Sequence, residues 1–340
     1  MILTVTLNPA LDVTYEVERL ERNQSHRVLT THSRAGGKGI NVARALTALG
    51  KRAVVTGLAG GAAGAELRAE LAAVGLVDEM VVVRGQSRRT VAVVSREEHD
   101  ATVFNEPGPP ITTAEWDEFT RRFDDLAQEA ELVVLSGSLP PGVPGDGYAQ
   151  LVRAASAHGR PTILDAAGSA LTEALEAGPT VIKPNAAELA AATEMMIAAD
   201  ETRSPDSDSG LAADPEFAPA PNPACDPAPA AALLRERGAT NVVVSLGPRG
   251  LYALTPSGAW RAVAPVQAVG NPTGAGDACV AAIAAGLAAG ADWPEILREA
   301  AALSAATVLS PVAGSFDAEA YQQFRTAISV EDVHAAHSDR

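Results

Sequence analysis

Several things that would assign a class at once are scarce in this chain. It holds two cysteines, Cys225 and Cys279, in 340 residues. That is too few for a disulfide framework and fits a reducing compartment. Aromatic residues make up 4 % of the chain, so the expected core is Ala, Val and Leu on helices packed against a sheet. The longest run of low polarity, Ala278 to Ala291, is too short and too rich in Ala and Gly to span a bilayer. Met1-Ile2-Leu3-Thr4-Val5-Thr6-Leu7-Asn8 lacks the basic start and cleavage site of a signal peptide and reads as a β-strand. A soluble, cytoplasmic protein is expected. Positive charge is also scarce: the net charge is -16, which argues against nucleic acid or an anionic membrane as partner.

Lysine is nearly absent, with only Lys38, Lys51 and Lys183 among the cations. Lys38 and Lys183 stand in turns beside glycine or Pro-Asn, which invites a functional reading. Two known phosphate loops are missing. No Gly-x-x-x-x-Gly-Lys-Ser/Thr occurs, and neither Gly274-Ala275-Gly276 nor Gly37-Lys38-Gly39 is followed by the Gly or Ala of a dinucleotide fingerprint. A nicotinamide dehydrogenase is therefore weakly supported.

What is present is a rhythm of buried strands and helices. Near-continuous apolar runs at Leu132–Leu135, Pro161–Asp165, Thr180–Lys183 and Asn241–Ser245 alternate with helical patterns, as a parallel sheet covered on both faces requires. The N-terminal strand and Ala53–Leu58 are expected in the same sheet. Val13–Ser33 and Thr90–Asn105 instead read as half-exposed antiparallel strands. They form either a lid beside the site or a plain extension of the sheet. Residues 195–228, rich in Pro, Asp, Ser and Ala, read as a flexible insertion.

The strongest local signal is Asn271-Pro272-Thr273-Gly274-Ala275-Gly276-Asp277, opening an alanine-rich helix. Glycines let the backbone turn sharply, and the helix start adds unpaired N–H groups and a positive dipole end, making an anion hole. Asp277 there could take a proton from an attacking hydroxyl. The alternative is a glycine turn with an acidic residue at the helix start. Gly36-Gly37-Lys38-Gly39-Ile40-Asn41 again places glycines before a helix, with Lys38 and Asn41 free to meet a polar ligand. Asp12 follows the first strand, where open α/β sheets bind ligands. Lys183-Pro184-Asn185, with Glu188 one turn on, suits either nucleotide phosphates and a magnesium-bound water or an ordinary strand-to-helix turn.

Taken together, Gly36–Asn41, Leu135-Ser136-Gly137-Ser138-Leu139-Pro140-Pro141-Gly142, Lys183–Leu189, Val244-Ser245-Leu246-Gly247 and Gly274–Asp277 resemble the ribokinase-like (PfkB) carbohydrate kinase family from Ile2 to Tyr321. Asn8–Asp12 and Asn105-Glu106-Pro107-Gly108-Pro109 resemble its 1-phosphofructokinase and tagatose-6-phosphate kinase branch. The resemblance implies a three-layer α/β/α fold with a mainly parallel central sheet and a small β-sheet lid. One kinase domain would span 1–330, with lid strands about 12–34 and 88–107 and a tail at 331–340. It implies ATP and Mg2+ as cofactors, and phosphorylation of a ketohexose monophosphate, fructose 1-phosphate before tagatose 6-phosphate or fructose 6-phosphate. A homodimer through the lid is implied too, and a non-catalytic sugar-phosphate sensor is the remote alternative.

The same resemblance implies Asp277 as base, with the amides of Gly274, Ala275 and Gly276 on the transferring phosphoryl. Asp12, Gly36, Gly37, Lys38, Asn41, Asn105, Ser136 and Gly137 would line the sugar site, and Arg88 would clamp the substrate's phosphate. Lys183, Asn185, Ser245, Gly247, Gly250 and Thr273 would line the ATP site, with Glu188 near the metal. Ser87 and Thr90 depart from the branch's Thr and Asn around that arginine, and Pro248-Arg249 stands between the two glycines of the nucleotide turn.

Overall fold

A computed structural model of the chain describes residues 1–98, 100–202, 226–265, 267–310, 312 and 314–333. The N-terminal half runs β1 (Ile2–Thr6), β2 (Ala10–Val17), β3 (Thr30–Gly36), α1 (Lys38–Ala48), β4 (Ala53–Gly60), α2 (Gly61–Ala73), β5 (Val77–Asp78), β6 (Val81–Val83), β7 (Arg88–Ser95), β8 (Asp100–Asn105) and α3 (Thr113–Glu129). Then come β9 (Leu132–Ser136), α4 (Gly147–Ala157), β10 (Thr162–Asp165), α5 (Ser169–Leu175), β11 (Val181–Ile182), α6 (Ala186–Thr202) and α7 (Ala228–Glu236). The chain ends through β12 (Asn241–Ser245), β13 (Leu251–Thr255), β14 (Gly258–Val263), α8 (Ala275–Ala289), α9 (Trp293–Val308), α10 (Ala318–Ala327) and β15 (Ser329–Asp332).

The uninterrupted apolar runs become the centre of the large sheet. β4, β1, β9, β10, β11 and β12 lie side by side and parallel. β5 and β6 extend β4 at one edge, and β13, β14 and β15 continue antiparallel at the other. β1 and β9 are buried at every residue, and the pleat sends alternate side chains to opposite faces. Leu3, Val5, Val133 and Leu135 join the core under α3 to α7. Ile2, Leu132 and Val134 join the one under α1, α2 and α8 to α10. The result is a three-layer α/β/α domain, as expected.

A separate four-stranded sheet runs β3-β2-β7-β8. It was expected to be antiparallel, but β2 and β7 pair in parallel along eight residues, from Ala10 with Arg88 to Val17 with Ser95. The chain passes through α1, β4 and α2 between β3 and β7, so β7 enters the small sheet from the same end as β2. Leu11 and Val13 pack on Ala63 of α2, while β8 is exposed throughout.

Helix α6 continues past Met195, where the insertion was expected to begin. Ala, Glu and Met there favour helix, and the first proline after α6 is Pro205. The rest of the insertion, residues 203–225, lies outside the described residues, as does 334–340. The tail expected from residue 331 instead starts as strand, with Glu331 and Asp332 paired to Arg261 and Trp260 of β14.

Candidate active site

The sheet reverses its winding at β1, with β4 on one side and β9 on the other. Loops that leave neighbouring strands in opposite directions part, and the crevice between them is where open α/β sheets bind ligands. Ser136 ends β9, Asp165 ends β10, Lys183 follows β11 and Ser245 ends β12, all at this rim.

Asp277, the third residue of α8, stands over that crevice and is 6 % exposed. Gly274 caps the helix at φ 85, a left-handed conformation that a side chain would strain. Asn41 of α1 donates from Nδ2 to Asp277 Oδ2 at 2.9 Å. Burial pushes the Asp277 pKa up to about 7, aided by the negative charge of Asp165 and opposed by the Asn41 hydrogen bond and the charges of Lys38 and Lys183. A carboxylate that changes protonation near neutrality suits a general base. The turn does not aim every expected amide at a ligand: Ala275 donates its N–H to the Pro272 carbonyl at 3.1 Å. Gly276 and Asp277, second and third in the helix, carry first-turn N–H groups that no carbonyl four residues back can satisfy. Thr273 is exposed, and its N–H donates to Asn271 Oδ1 at 3.0 Å.

Two lysines lie beneath this turn. Lys183 is 3 % exposed, and its Nζ is 3.2 Å from Asp165 Oδ1. A Cβ on Gly276 would lie 3.6 Å from the same Nζ. Lys38, whose side chain is 40 % exposed, reaches Asp165 Oδ1 at 3.6 Å and Glu188 Oε1 at 3.8 Å. Asp165, Glu188 and Asp277 hold the Lys38 pKa above its ordinary value against its burial and Lys183, Asp165 contributing most. Burial disfavours charge on Lys183, but Asp165, Cys279 and Glu188 outweigh it and raise its pKa. Burial likewise disfavours charge on Asp165; the two lysines and a hydrogen bond from Ser136 nevertheless hold it below the usual carboxylate range. Gly137, at φ 109, donates its N–H to the Asp165 carbonyl at 3.0 Å.

Toward the small sheet, Asp12 lies directly against the backbone of Gly36, where an added Cβ would come within 1.9 Å of Asp12 Oδ2. Burial raises the Asp12 pKa, against a hydrogen bond from Thr90 and the charges of Arg88, Arg34 and Arg44. Arg88 donates from Nε to the Asn8 carbonyl at 3.1 Å and from a terminal nitrogen to the Glu106 carbonyl at 3.4 Å. Gly37 leads from this group into α1 and hence to Asn41 and Asp277. Asn105 closes β8 opposite Thr90, the partner of Asp12, and is exposed.

On the opposite side, Asn185 and Glu188 cap each other. The Asn185 N–H donates to Glu188 Oε2 at 2.8 Å, and the Glu188 N–H donates to Asn185 Oδ1 at 2.9 Å. Both residues thus have a role in starting α6 that needs no ligand. Asn185 also bridges to Ser245. Gly247 opens a single helical turn and Gly250 ends it. Gly250 has a structural requirement of its own, since a Cβ there would lie 2.0 Å from the Ala262 carbonyl oxygen. A magnesium ion takes one or two protein carboxylates and completes its shell with phosphate and water oxygens. Glu188 Oε1, outside the cap and beside Lys38, fits that demand. Among the described residues no group of three or more His, Cys, Asp or Glu forms a metal cage.

Asp165 and Asn8 are the residues of this site that sequence reasoning passed over. Asp165 had a signal, an acid closing an apolar strand, the same one that singled out Asp12. Asn8 donates from Nδ2 to the Pro107 carbonyl and to Ser138 Oγ at 3.2 and 3.1 Å, joining the segment after β8 to the loop after β9.

A buried carboxylate and two lysines at a helix start fit a phosphotransferase on an α/β fold. The chain belongs to the pfkB family of carbohydrate kinases, whose model, described as pfkB family carbohydrate kinase, matches residues 5–319. It is an enzyme that phosphorylates an alcohol group. Phosphofructokinase-2 from Escherichia coli, solved in complex with fructose-6-phosphate, is 29 % identical, with a TM-score of 0.78 over 96 % of this chain and 98 % of that one. A structure described as "possible 1-phosphofructokinase" from Thermotoga maritima is 28 % identical, with a TM-score of 0.78 over 98 % and 99 %. Arabidopsis thaliana ribokinase, complexed with ribose and ATP, shares the fold at 22 % identity and TM-score 0.71 over 95 % and 98 %. No helix among the described residues is long and apolar enough to cross a membrane.

Proposed function

We propose that this carbohydrate kinase transfers the γ-phosphoryl group of ATP to a hydroxyl of a ketohexose monophosphate, with fructose 1-phosphate the leading substrate and fructose 1,6-bisphosphate the product. The environment of Asp277 carries the reading: a buried carboxylate with a pKa of about 7, hydrogen-bonded by Asn41, at a helix start above two lysines. Asp277 takes the proton of the substrate hydroxyl as its oxygen bonds to the γ-phosphorus and the bond to ADP breaks. Lys38, Lys183 and the first-turn amides of α8 stabilise the charge on the transferring group. Magnesium neutralises phosphate charge when bound, and Glu188 Oε1 would hold its water.

Arg88, braced by the carbonyls of Asn8 and Glu106, clamps the phosphate already on the sugar. Asp12, Gly36, Gly37, Asn41, Asn105, Ser136 and Gly137 line the sugar subsite. Thr273, Asn185, Ser245, Gly247 and Gly250 line the nucleotide subsite beside Lys183. Fructose 6-phosphate is the second reading, favoured by the likeness to the E. coli enzyme solved with that sugar, and tagatose 6-phosphate is a third acceptor. Val103 and Phe104, exposed on β8, support pairing of two lids in a homodimer.

The test is ATP turnover with fructose 1-phosphate, fructose 6-phosphate, tagatose 6-phosphate and unphosphorylated fructose, for wild type and Asp277→Ala. The expected result is fastest turnover on a monophosphate, reduced about 10³-fold by the substitution. Equal slow turnover in both proteins on every sugar would remove the kinase assignment of this site.

A further inference from the structure

The transfer described above leaves the buried carboxylate of Asp165 without a part. Asp165 is 1 % exposed, and an ionised carboxylate so placed needs partners of opposite charge. It has two, both on one atom: Lys183 Nζ at 3.2 Å and Lys38 Nζ at 3.6 Å from Oδ1. Ser136 Oγ donates to Oδ2 at 3.3 Å. The lysines come from separate parts of the chain, one as the first residue of α1 and the other from the turn after β11. Like charges brought this close repel, and Asp165 is what draws both to one point. That point lies under the first turn of α8, because the Lys183 ammonium stands 3.6 Å from where a Cβ on Gly276 would lie. Glu188 also meets Lys38, but only at 3.8 Å, and its other oxygen is engaged in the cap of α6.

We infer that Asp165 is a positioning residue: its carboxylate holds the ammonium groups of Lys38 and Lys183 side by side at the start of α8, so that both face an anionic group bound there. This rests on reading the site as an ATP-dependent phosphotransferase, with the phosphates of ATP as the anion. The role has an unusual sign. Asp165→Asn adds one unit of positive charge to the site, so charge count alone predicts tighter binding of ATP. A positioning role predicts weaker binding, because the freed lysines part.

Calorimetric titration with ATP and magnesium, on wild type and Asp165→Asn, separates the two. The expected result is a Kd about tenfold higher for the variant. Equal or tighter binding by the folded variant would overturn the inference. If Asp165→Asn does not fold, the comparison moves to Lys183→Met with and without Asp165→Asn, which replaces the buried pair by two neutral groups. Lys38 still depends on Asp165 there, so a further rise in Kd of about threefold is expected; no change, or a fall, overturns the inference. A wild type that binds no ATP would remove the phosphotransferase reading itself, an outcome distinct from either variant result.

Discussion

Asp277 should make the folded protein less stable where it makes the enzyme active. Its pKa rises from 3.8 to about 7, mainly through burial. A carboxyl whose folded-state pKa lies above its unfolded value contributes stability below the unfolded pKa, and that contribution is lost as pH rises through the folded pKa. At 1.36 kcal/mol per unit, the raised pKa costs the fold about 4 kcal/mol at pH 8, where the buried group is ionised, and about 2 kcal/mol at pH 5, where folding must protonate it. Asp277→Asn keeps an oxygen to accept the hydrogen bond from Asn41 and removes the charge. It should therefore raise the unfolding free energy by about 4 kcal/mol at pH 8 and by about half that at pH 5, read from urea denaturation at the two values. The same substitution should lower kcat/KM about 10³-fold. In the wild type, kcat/KM should fall tenfold per pH unit below about 7, where the base is protonated. A variant no more stable than wild type at pH 8, or a wild-type acid limb below pH 5, would refute the claim that Asp277 is held ionised at a cost.

Arg88→Ala should raise KM for the phosphosugar about 10²-fold and KM for ATP less than about threefold, in line with losing a charge-assisted pair. Comparable rises for both substrates would place Arg88 outside the phosphate clamp. Gly250→Ala should lower the unfolding free energy by about 3 kcal/mol, because the φ is 84 and a Cβ would meet the Ala262 carbonyl. Gly247→Ala, at φ 59 with open space around it, should cost only about 1 kcal/mol. Equal losses in denaturation would deny the steric difference between these two glycines. Glu188→Gln preserves an acceptor for the Asn185 N–H and should leave stability within about 0.5 kcal/mol. It should nevertheless raise the magnesium concentration for half-maximal rate about tenfold; an unaltered magnesium dependence would confine Glu188 to the helix cap.

The central sheet was legible because its strands are buried on both faces. Leu132-Val133-Val134-Leu135 has no solvent side to require polar residues, so it reads as a continuous apolar run. The small sheet was legible as strands but not as a pairing. Alternation in β2 and β7 is the same whether they run parallel or antiparallel, and only the passage of the intervening chain through the main domain sets their direction. The site divides in the same way. Glycines before Lys38 and Asp277 announce close backbone approach from a few adjacent letters. Asn185 and Glu188 do not yield so simply, since Asn-x-x-Glu is the spacing of a helix cap as well as of a phosphate and metal turn. In the structure the cap uses Glu188 Oε2, and Oε1 lies beside Lys38. The cap and the proposed metal role thus fall on different atoms of the same carboxylate. Asp165 is the limiting case. Its local sequence signal equals that of Asp12, but its meaning lies in two cations far from it and from each other in the chain. A carboxylate that gathers distant lysines onto one oxygen has no local pattern, so it becomes visible only when the strand ends are brought to a common rim.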